Sequence, residues 1–320
     1  MTRVGIVLLN YKNWNDSIAC MDSVFGDPYA DWQLFVVDND SGNGSLDHIQ
    51  AWLKDQSIEP AAVPASAFDD DAAPVPAAKV VLIQAASNRG YAAGNNIGIK
   101  AALKAGADHI LILNNDVIVR SGYLEALVSY MRDHGSCGVA GPVLFNERGQ
   151  RDPNCARRRP ESVADYLFRS ALGRSLFPDN RWVRHHFYLD DYSFQEPRAV
   201  DLISGSCMLI RRDVFERIGL LDERTFLYLE EFILHEKLRA TPYYTAIVPA
   251  STVIHKGGRS IANVDSVALN RFSKASFRYY LRRYRGFPSM SIELILLASS
   301  LPVLLGEGRR RFSRFWGRRP

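Results

Sequence analysis

The 320-residue sequence predicts an α/β fold with a mostly parallel central sheet flanked by helices. Three apolar runs carry this prediction, because each resembles a buried strand and each breaks abruptly into asparagine and aspartate residues. The runs are Val4–Leu9, Leu34–Val37 and Ile110–Leu113. Open α/β sheets bind ligands outside the carboxyl ends of their strands, so the three breaks predict one polar crevice along one sheet edge.

The composition excludes several classes of protein. Hydrophobic residues make up 47% of the chain and charged residues 23%, which is typical of a soluble globular protein. The net charge of +4 is mild and predicts no nucleic-acid partner. The four cysteines are scattered without a CxxC pair, which disfavours a zinc ribbon or a disulfide framework and fits a reducing cytoplasm. Because Met1 is followed directly by strand-like sequence, we expect no signal peptide.

The first two strands are each followed by polar residues and a helix. After Val4–Leu9 a helix is predicted to about Phe25, and neither GxGxxG nor GxxxxGK[ST] intervenes, which disfavours dinucleotide and P-loop sites. The run Leu34–Val37 leads into an acidic, amide-rich loop that begins at Asp38. Ser45 is a candidate cap for the helix that follows this loop.

The next segment changes in composition. Residues 58–78 are rich in Ala, Pro and Asp and have no hydrophobic period, which predicts a flexible insertion within the domain. Val80–Ile83 then predicts a strand. The glycine- and asparagine-rich stretch Asn88–Gly98 opens a helix to about Lys104. Glycines at a helix start let the backbone approach a ligand closely, and the exposed amides there favour an anion.

The strand Ile110–Leu113 ends in Asn114, Asn115 and Asp116. A carboxylate flanked by amides offers hard oxygen ligands for a divalent cation such as Mg²⁺, which usually shares its site with substrate phosphates. The pattern favours a metal–diphosphate site at Asp116 supported by Asn114. The alternative is an ordinary Asn/Asp turn at a strand end. A helix from about Gly122 follows.

The second half has weaker periodicity. Residues 146–198 are predicted to form loops and short helices over the active site, and ordered structure resumes at Val200–Ile210. The stretch Phe226–Glu231 leads into a helix toward Arg239. A strand at Ala246–Pro249 is predicted to exit toward His255.

The C-terminal region, 266–320, differs from the preceding domain, 1–265. A basic, aromatic helix is predicted at Asn270–Arg285, and the apolar run Met290–Leu305 is too short and interrupted to cross a bilayer. Arginines and aromatic residues crowd the last twelve positions. This pattern predicts an interfacial anchor on anionic lipid. The alternatives are a packed helix with a solvated tail, or a nucleic-acid patch.

Five motifs, in order over about residues 3–260, resemble those of inverting family 2 glycosyltransferases with a GT-A fold. The resemblance is strongest to the branch that includes rhamnosyltransferases of cell-surface polysaccharide assembly. It implies a Rossmann-like sheet within a GT-A domain, followed here by the basic helical tail. The motifs are Val36–Ser41, Asn88–Asn96, Leu113–Asp116, Ser204–Arg212 and Tyr228–Leu234.

The resemblance implies a role for each motif. Ser204 and Gly205 would lie on the acceptor side, and Asp116, Asn114 and His255 would hold the metal. Imidazole suits Mn²⁺ better than Mg²⁺; the alternative for His255 is a structural hydrogen bond at a strand end. The residues implied to bind the nucleotide sugar are Asn10, Asp38, Asp40, Asn88, Gly90, Asn95 and Asn115.

The fifth motif carries the catalytic base. Inverting transfer needs a carboxylate to take the proton of the acceptor hydroxyl as that oxygen attacks the anomeric carbon. The family pattern Y-x-E-D-x-D-L resembles Tyr228-x-Glu230-Glu231-x-Ile233-Leu234, which implies Glu231 as the base and Glu230 as its support. Glu231 and Ile233 stand where the family has aspartates. The alternative is two solvated glutamates in the first turn of a helix.

The sequence thus predicts a metal-dependent inverting glycosyltransferase that uses Mg²⁺ or Mn²⁺. Its donor would be dTDP-rhamnose or a UDP-hexose, and its acceptor a hydroxyl of a lipid-linked or growing cell-surface glycan. We expect it in the cytoplasm, peripheral on the inner face of the cell membrane. The alternative is a catalytically weakened sugar-nucleotide-binding protein of the same fold. A nucleotidyltransferase ranks last, because Asn10–Asn13 is not a glycine-rich basic loop.

Overall fold

The computed structural model describes residues 2–70, 74–178, 180–257 and 266–300. Its strands are β1 (Val4–Asn10), β2 (Trp32–Asp38), β3 (Ala61–Pro64), β4 (Val80–Gln84), β5 (His109–Asn114), β6 (Val117–Val119), β7 (Cys137–Phe145), β8 (Ala156–Arg157), β9 (Arg198–Val200), β10 (Leu202–Ile203), β11 (Cys207–Arg211) and β12 (Tyr244–His255). Its helices are α1 (Trp14–Phe25), α2 (Ser45–Asp55), α3 (Tyr91–Lys104), α4 (Tyr123–Asp133), α5 (Val163–Arg169), α6 (Ala171–Leu176), α7 (Arg181–Tyr188), α8 (Arg212–Ile218), α9 (Glu230–Leu238) and α10 (Ser266–Arg283).

The main sheet has a parallel half and a mixed half. Its strand order is β3-β4-β2-β1-β5-β11-β7-β12-β6, with β9 paired to β12. In this order, the first five strands (β3, β4, β2, β1 and β5) are parallel to one another, whereas β11 runs antiparallel to both β5 and β7. The register aligns Asn10 with Asp38, and Leu9 with Asn114. The polar residues that follow the first strands therefore meet at one edge, as the sequence predicts.

Helix α3 lies unusually close to the sheet. A Cβ added to Gly98 would meet Val7 Cγ1 at 2.4 Å, and one added to Gly5 would meet Ala102 Cβ at 2.4 Å. Glycine on each surface thus lets the helix backbone approach β1. This packing fixes the amino terminus of α3 beside the carboxyl ends of β1 and β5.

The predicted flexible insertion at 58–78 needs correction over residues 61–68. Ala61–Pro64 forms β3, which pairs in parallel with β4, and a 3₁₀ turn at Ala65–Phe68 buries Phe68. A short edge strand tolerates Pro64 because its outer side makes no ladder hydrogen bonds. Residues 71–73 of the insertion lie outside the described residues.

The described part of the C-terminal region packs against the preceding domain. Tyr280 and Leu281 of α10 are fully buried, together with apolar residues of a helical stretch at 289–300. They form one cluster with Tyr166, Leu202, Leu229, Phe232 and Ile233. The buried aromatic side chains of α10 therefore face protein, so the described part of the predicted tail is not separate from the domain. Membrane association of the C-terminal region stays a prediction. The arginines from Arg309 onward lie outside the described residues.

Polar contacts reinforce this packing. Arg159 and Arg285 both donate to the buried Glu236 carboxylate, at 2.5 Å and 3.1 Å. Tyr279 and Tyr284 of the C-terminal region each donate to Asp222 at 2.7 Å. Within the described ranges, no helix combines the length and the apolar character needed to span a bilayer.

Candidate active site

A cavity of about 320 Å³ lies at the carboxyl ends of β1 and β5. Ten of the residues singled out in the sequence line it, and they come from five separate segments of the chain. The structure thus brings the four later motifs together around one space, and Asn39 of the first motif lines it as well. These residues are Asn88, Gly90, Asn114, Asn115, Asp116, Ser204, Gly205, Glu230, Glu231 and His255.

Four predicted nucleotide-binding residues lie outside the cavity lining. Asn10 donates to Asp38 at 2.6 Å, and Asp38 also accepts from the Ser41 backbone N–H at 3.0 Å. Asp40 is exposed, and Asn95 is buried with its amide donating to the Tyr91 carbonyl at 3.0 Å. Asn10 and Asp38 therefore organise the loop behind the cavity, and their contact with a nucleotide stays a prediction.

The predicted metal ligands Asp116 and His255 are adjacent. Strand β6 pairs with β12 so that Val117 faces His255, which sets the imidazole Nε2 3.4 Å from Asp116 Oδ1. His255 Nδ1 lies 3.9 Å from Asp152 Oδ2 on the other side. Burial alone would lower the pKa of His255, but the two carboxylates outweigh it and raise the pKa to about 9. The sequence analysis missed Asp152, which lies in a stretch without clear periodicity.

These two side chains fit a metal that the substrate also coordinates. Asp116 Oδ1 is buried, and within the described part of the chain its nearest cationic neighbour is His255 Nε2, without a hydrogen bond between them. Asn114 Oδ1, by contrast, lies 3.0 Å from the Tyr91 hydroxyl, whose single proton is shared between this oxygen and the Gly205 carbonyl at 2.7 Å. Across the described residues, no group of three or more His, Cys, Asp or Glu side chains is placed to hold a metal ion. The protein would thus supply few ligands, as for cations shared with phosphates.

The acidic pair begins α9 directly after two residues with left-handed backbone. Tyr228 and Leu229 both have φ of +73°, a conformation that side chains other than glycine adopt at an energetic cost. The loop before them is held from both sides. The Tyr91 backbone N–H donates to the Phe226 carbonyl at 2.8 Å, and the Ser276 hydroxyl of α10 donates to the Leu227 carbonyl at 2.8 Å.

The two glutamates have different surroundings. Glu230 is buried, and burial followed by the charge of Glu231 raises its pKa to about 8. Its Oε1 has no hydrogen-bond partner among the described residues. Glu231 instead accepts a hydrogen bond of 2.8 Å from Arg157 Nη2, and the two side chains are 19% and 10% exposed. Glu230 and Glu231 are therefore not the two solvated glutamates of the alternative, because the first is buried and the second is paired with Arg157.

Arg157 was not found in the sequence analysis. It lies on β8 opposite Leu202 of β10, which positions its guanidinium under α9. The only local signal is the run Arg157-Arg158-Arg159, and nothing in it distinguishes the arginine that contacts the acidic pair.

The cavity also has an apolar wall that the sequence analysis did not identify. Phe272 of α10 stacks on Phe226 with ring centroids 4.2 Å apart, and both residues line the cavity with Leu227 and Leu269. Ile233, which departs from the family pattern, does not line it and is buried in the cluster with Tyr280. The departure from the family pattern at position 233 therefore affects the packing of the domain and leaves the cavity lining unchanged.

Most of the chain matches the model of one protein family. Residues 59–283 match the model of the family described as "Glycosyltransferase like family 2". The chain belongs to this family. The family predicted from the five motifs is confirmed.

Curated relatives of this family 2 chain include rhamnosyltransferases. It is 27% identical over 180 residues to the N-acetylglucosaminyl-diphospho-decaprenol L-rhamnosyltransferase of Mycobacterium tuberculosis, covering 56% of this chain and 57% of that protein. It is 24% identical to the dTDP-rhamnosyl transferase RfbF of Shigella flexneri, covering 71% of this chain and 66% of that protein. The chain thus spans less than two thirds of the length of these relatives.

Solved structures show the same fold at low sequence identity. The family 2 chain matches the mannosyltransferase PcManGT from Pyrobaculum calidifontis, in complex with GDP-Man and Mn²⁺, with a TM-score of 0.54 and 15% identity over 93% of this chain and 69% of that one. It matches GalNAc-T7 with UDP, GalNAc and Mn²⁺ with a TM-score of 0.57 and 14% identity over 90% and 52%. The predicted GT-A fold is confirmed.

Proposed function

We propose that the chain is a metal-dependent inverting glycosyltransferase that moves a sugar from a nucleotide-sugar donor to a hydroxyl of a glycan acceptor. One observation carries the proposal. The Asp116–His255 pair and the Glu230–Glu231 pair line the same cavity at the carboxyl edge of the sheet. A diphosphate at the first pair would leave the anomeric carbon facing the second pair, which is the arrangement that direct displacement requires.

Asp116 and His255 are the residues that would hold the cation. Asp116 Oδ1 would offer an oxygen ligand, and His255 Nε2 a nitrogen ligand once the cation displaces the imidazole proton that now faces Asp116. This set suits Mn²⁺ as well as Mg²⁺. When bound, a divalent cation stabilises the negative charge that develops on a departing diphosphate. Asn114 is a weaker candidate ligand because its amide oxygen lies beside the Tyr91 hydroxyl.

Glu231 is the proposed base. Its carboxylate lines the cavity and is held by Arg157, which fixes the longer glutamate side chain in one orientation. Glu230 suits a different task. With a pKa of about 8 it is mostly protonated at pH 7, so it donates a hydrogen bond more readily than it accepts a proton from the acceptor. We assign Glu230 to a polar group of the bound sugar.

The donor and the acceptor follow from the relatives rather than from the cavity. Two relatives are named as rhamnosyltransferases, one for a dTDP-linked donor and one for a diphospho-decaprenol acceptor. They support dTDP-rhamnose, with a UDP-hexose as the second choice, and a lipid-linked or growing cell-surface glycan. Such an acceptor favours a peripheral location at the cytoplasmic face of the membrane, to which the arginines from Arg309 onward would contribute.

A donor screen tests the proposal. Nucleotide sugars are incubated with Mn²⁺ or Mg²⁺ and a prenyl-diphosphate sugar, with wild type, Asp116→Ala and Glu231→Gln compared. We expect one donor to be consumed, both variants to lose turnover, and only Asp116→Ala to lose metal-dependent donor binding. Proton NMR of the product would show an anomeric configuration opposite to that of the donor. Retention of configuration, or full turnover by Glu231→Gln, would contradict the assignment.

The alternative, a sugar-nucleotide-binding protein with weakened catalysis, gives a different result in the same screen. It predicts metal-dependent binding of a donor that is never consumed with any acceptor. The sequence feature that suggested it was the altered acidic motif, in which Glu231 and Ile233 stand where the family has aspartates. Ile233 is buried away from the cavity, and Glu231 keeps a carboxylate in the cavity lining. We therefore rank the alternative second.

A further inference from the structure

The helical segment between β8 and β9 presents an exposed apolar surface. Phe168, Leu176, Phe177 and Trp182, called here the 168–182 patch, are between 40% and 63% exposed. The Phe168 ring centroid lies 6.1 Å from that of Phe177 and 5.9 Å from that of Trp182. The rings therefore form one surface, and grouped exposed apolar side chains mark a site of interaction with a partner or a membrane.

Two exposed arginines adjoin the patch. Residues 166–189 contain four arginines and one aspartate, and Asp165, Asp190 and Asp191 border this segment. Arg184 is paired with Asp190 at 2.7 Å and Arg169 is half-buried, which leaves Arg174 and Arg181 beside the patch. Arg174 and Arg181 are exposed and adjoin the patch in sequence, and the Arg174 guanidinium donates to the Arg169 carbonyl at 2.5 Å. Arginines around exposed Trp, Phe and Leu side chains are typical of short helices that lie in the headgroup region of a bilayer.

The patch is connected to the acceptor side of the cavity. Tyr166, two residues before Phe168 on α5, packs in one cluster with Leu229 and Phe232, which flank the acidic pair. Strand β8, which precedes α5, carries the Arg157 that contacts Glu231. A surface bound at the patch would thus lie next to the elements that position Glu231.

We propose that the 168–182 patch is a docking surface for an anionic lipid bilayer. The arginines favour lipid over a second copy of this chain, because two copies would bring like charges together whereas anionic headgroups neutralise them. The docking surface is distinct from the C-terminal arginines and does not require that the proposed function be correct. If that function holds, the patch would bring the acidic pair to an acceptor whose lipid lies in the membrane.

Vesicle binding tests the proposal directly. The full chain is sedimented with vesicles of phosphatidylglycerol and phosphatidylcholine in equal parts, and with phosphatidylcholine alone. We expect Leu176→Ser/Phe177→Ser to weaken binding to the anionic vesicles by about tenfold or more. The control Val267→Ser, which removes an exposed apolar side chain of α10, should bind within about twofold of wild type. Equal binding by the patch variant and the wild type would overturn the proposal.

A local measurement distinguishes insertion of the patch from attachment elsewhere. Lipids brominated on their acyl chains quench the fluorescence of tryptophans that enter the bilayer, and the chain has five tryptophans. We expect Trp182→Phe to bind vesicles like wild type but to lose most of the quenched signal. Quenching in Trp182→Phe equal to that in wild type would place Trp182 outside the lipid and would overturn the proposal. A wild type that sediments as a dimer and a patch variant that sediments as a monomer would instead assign the surface to a second copy, and would also overturn the proposal.

Discussion

Arg157 on β8 and Glu231 on α9 are joined by a hydrogen bond of 2.8 Å although 74 residues separate them in sequence. The contact connects the small antiparallel sheet of β8 and β10 to the helix that begins with the acidic pair. It also fixes one carboxylate oxygen of the proposed base. Because a glutamate has one more methylene than the aspartate of the family pattern, a fixed orientation matters more at this position.

We expect Arg157→Ala to lower kcat by roughly 10- to 100-fold while leaving the dissociation constant of the donor nearly unchanged. The reason is that Glu231 loses the partner that orients it, whereas the Asp116–His255 end of the cavity is untouched. Steady-state kinetics and calorimetry of donor binding would check this. Arg158→Ala is the matched control, since Arg158 is exposed, and it should behave like wild type. A donor-binding defect in Arg157→Ala would contradict the positioning role.

Glu230 predicts a dependence of stability on pH. Its folded-state pKa of about 8 lies above the ordinary value of 4.5, so between these pH values the folded chain holds a proton that the unfolded chain has released. Stability from this group is present below about pH 4.5 and is lost as the pH rises toward 8. The unfolding free energy of Glu230→Gln relative to that of wild type should therefore increase by roughly 4 kcal/mol from pH 5 to pH 9.

Urea unfolding of both proteins at the two pH values measures that difference. Comparing the two proteins removes the contribution of other groups, including His255, whose pKa is also raised. A stability difference that does not change with pH would show that Glu230 is ionised in the folded chain.

Restoring the family pattern at position 233 should harm the protein. Ile233→Asp would put a carboxylate into the buried cluster with Tyr280 and Leu229, at a cost of roughly 3–5 kcal/mol in unfolding free energy. Ile233→Val should cost only about 1 kcal/mol. Thermal unfolding of both variants checks the prediction. An aspartate variant that is as stable as the valine variant and turns over faster would instead place position 233 at the active site.

Truncation should show that residues 289–300 belong to the folded domain. Ending the chain after Pro288 removes Ile292, Ile295 and Leu296, which are buried against the preceding domain. Their loss should cost roughly 5 kcal/mol. Ending the chain after Ser300 keeps these contacts and should leave the melting temperature close to that of the full chain. Equal melting temperatures for the two truncations would contradict the packing described above.

The sequence predicts β1, β2, β4 and β5 of the parallel half well because burial on both faces leaves continuous apolar runs, whereas the short edge strand β3 has no such run. It also predicts ten residues that line the cavity, because they lie at strand ends or at the start of a helix, but it does not predict the apolar wall formed with Phe226 and Phe272. It does not predict Arg157 or Asp152, because their contacts depend on pairings between distant segments. The aromatic residues near Tyr280 were assigned to lipid because periodicity shows that a face is apolar but not what covers it.

The loop before the acidic pair is anchored by Ser276 and Phe272 of α10 as well as by Tyr91 of α3. A chimera that joins the amino-terminal part of this chain to the C-terminal part of a relative would separate the loop from the residues of α10 that contact it. Recombination between family members should therefore preserve activity only when residues 222–229 and α10 are inherited from the same parent.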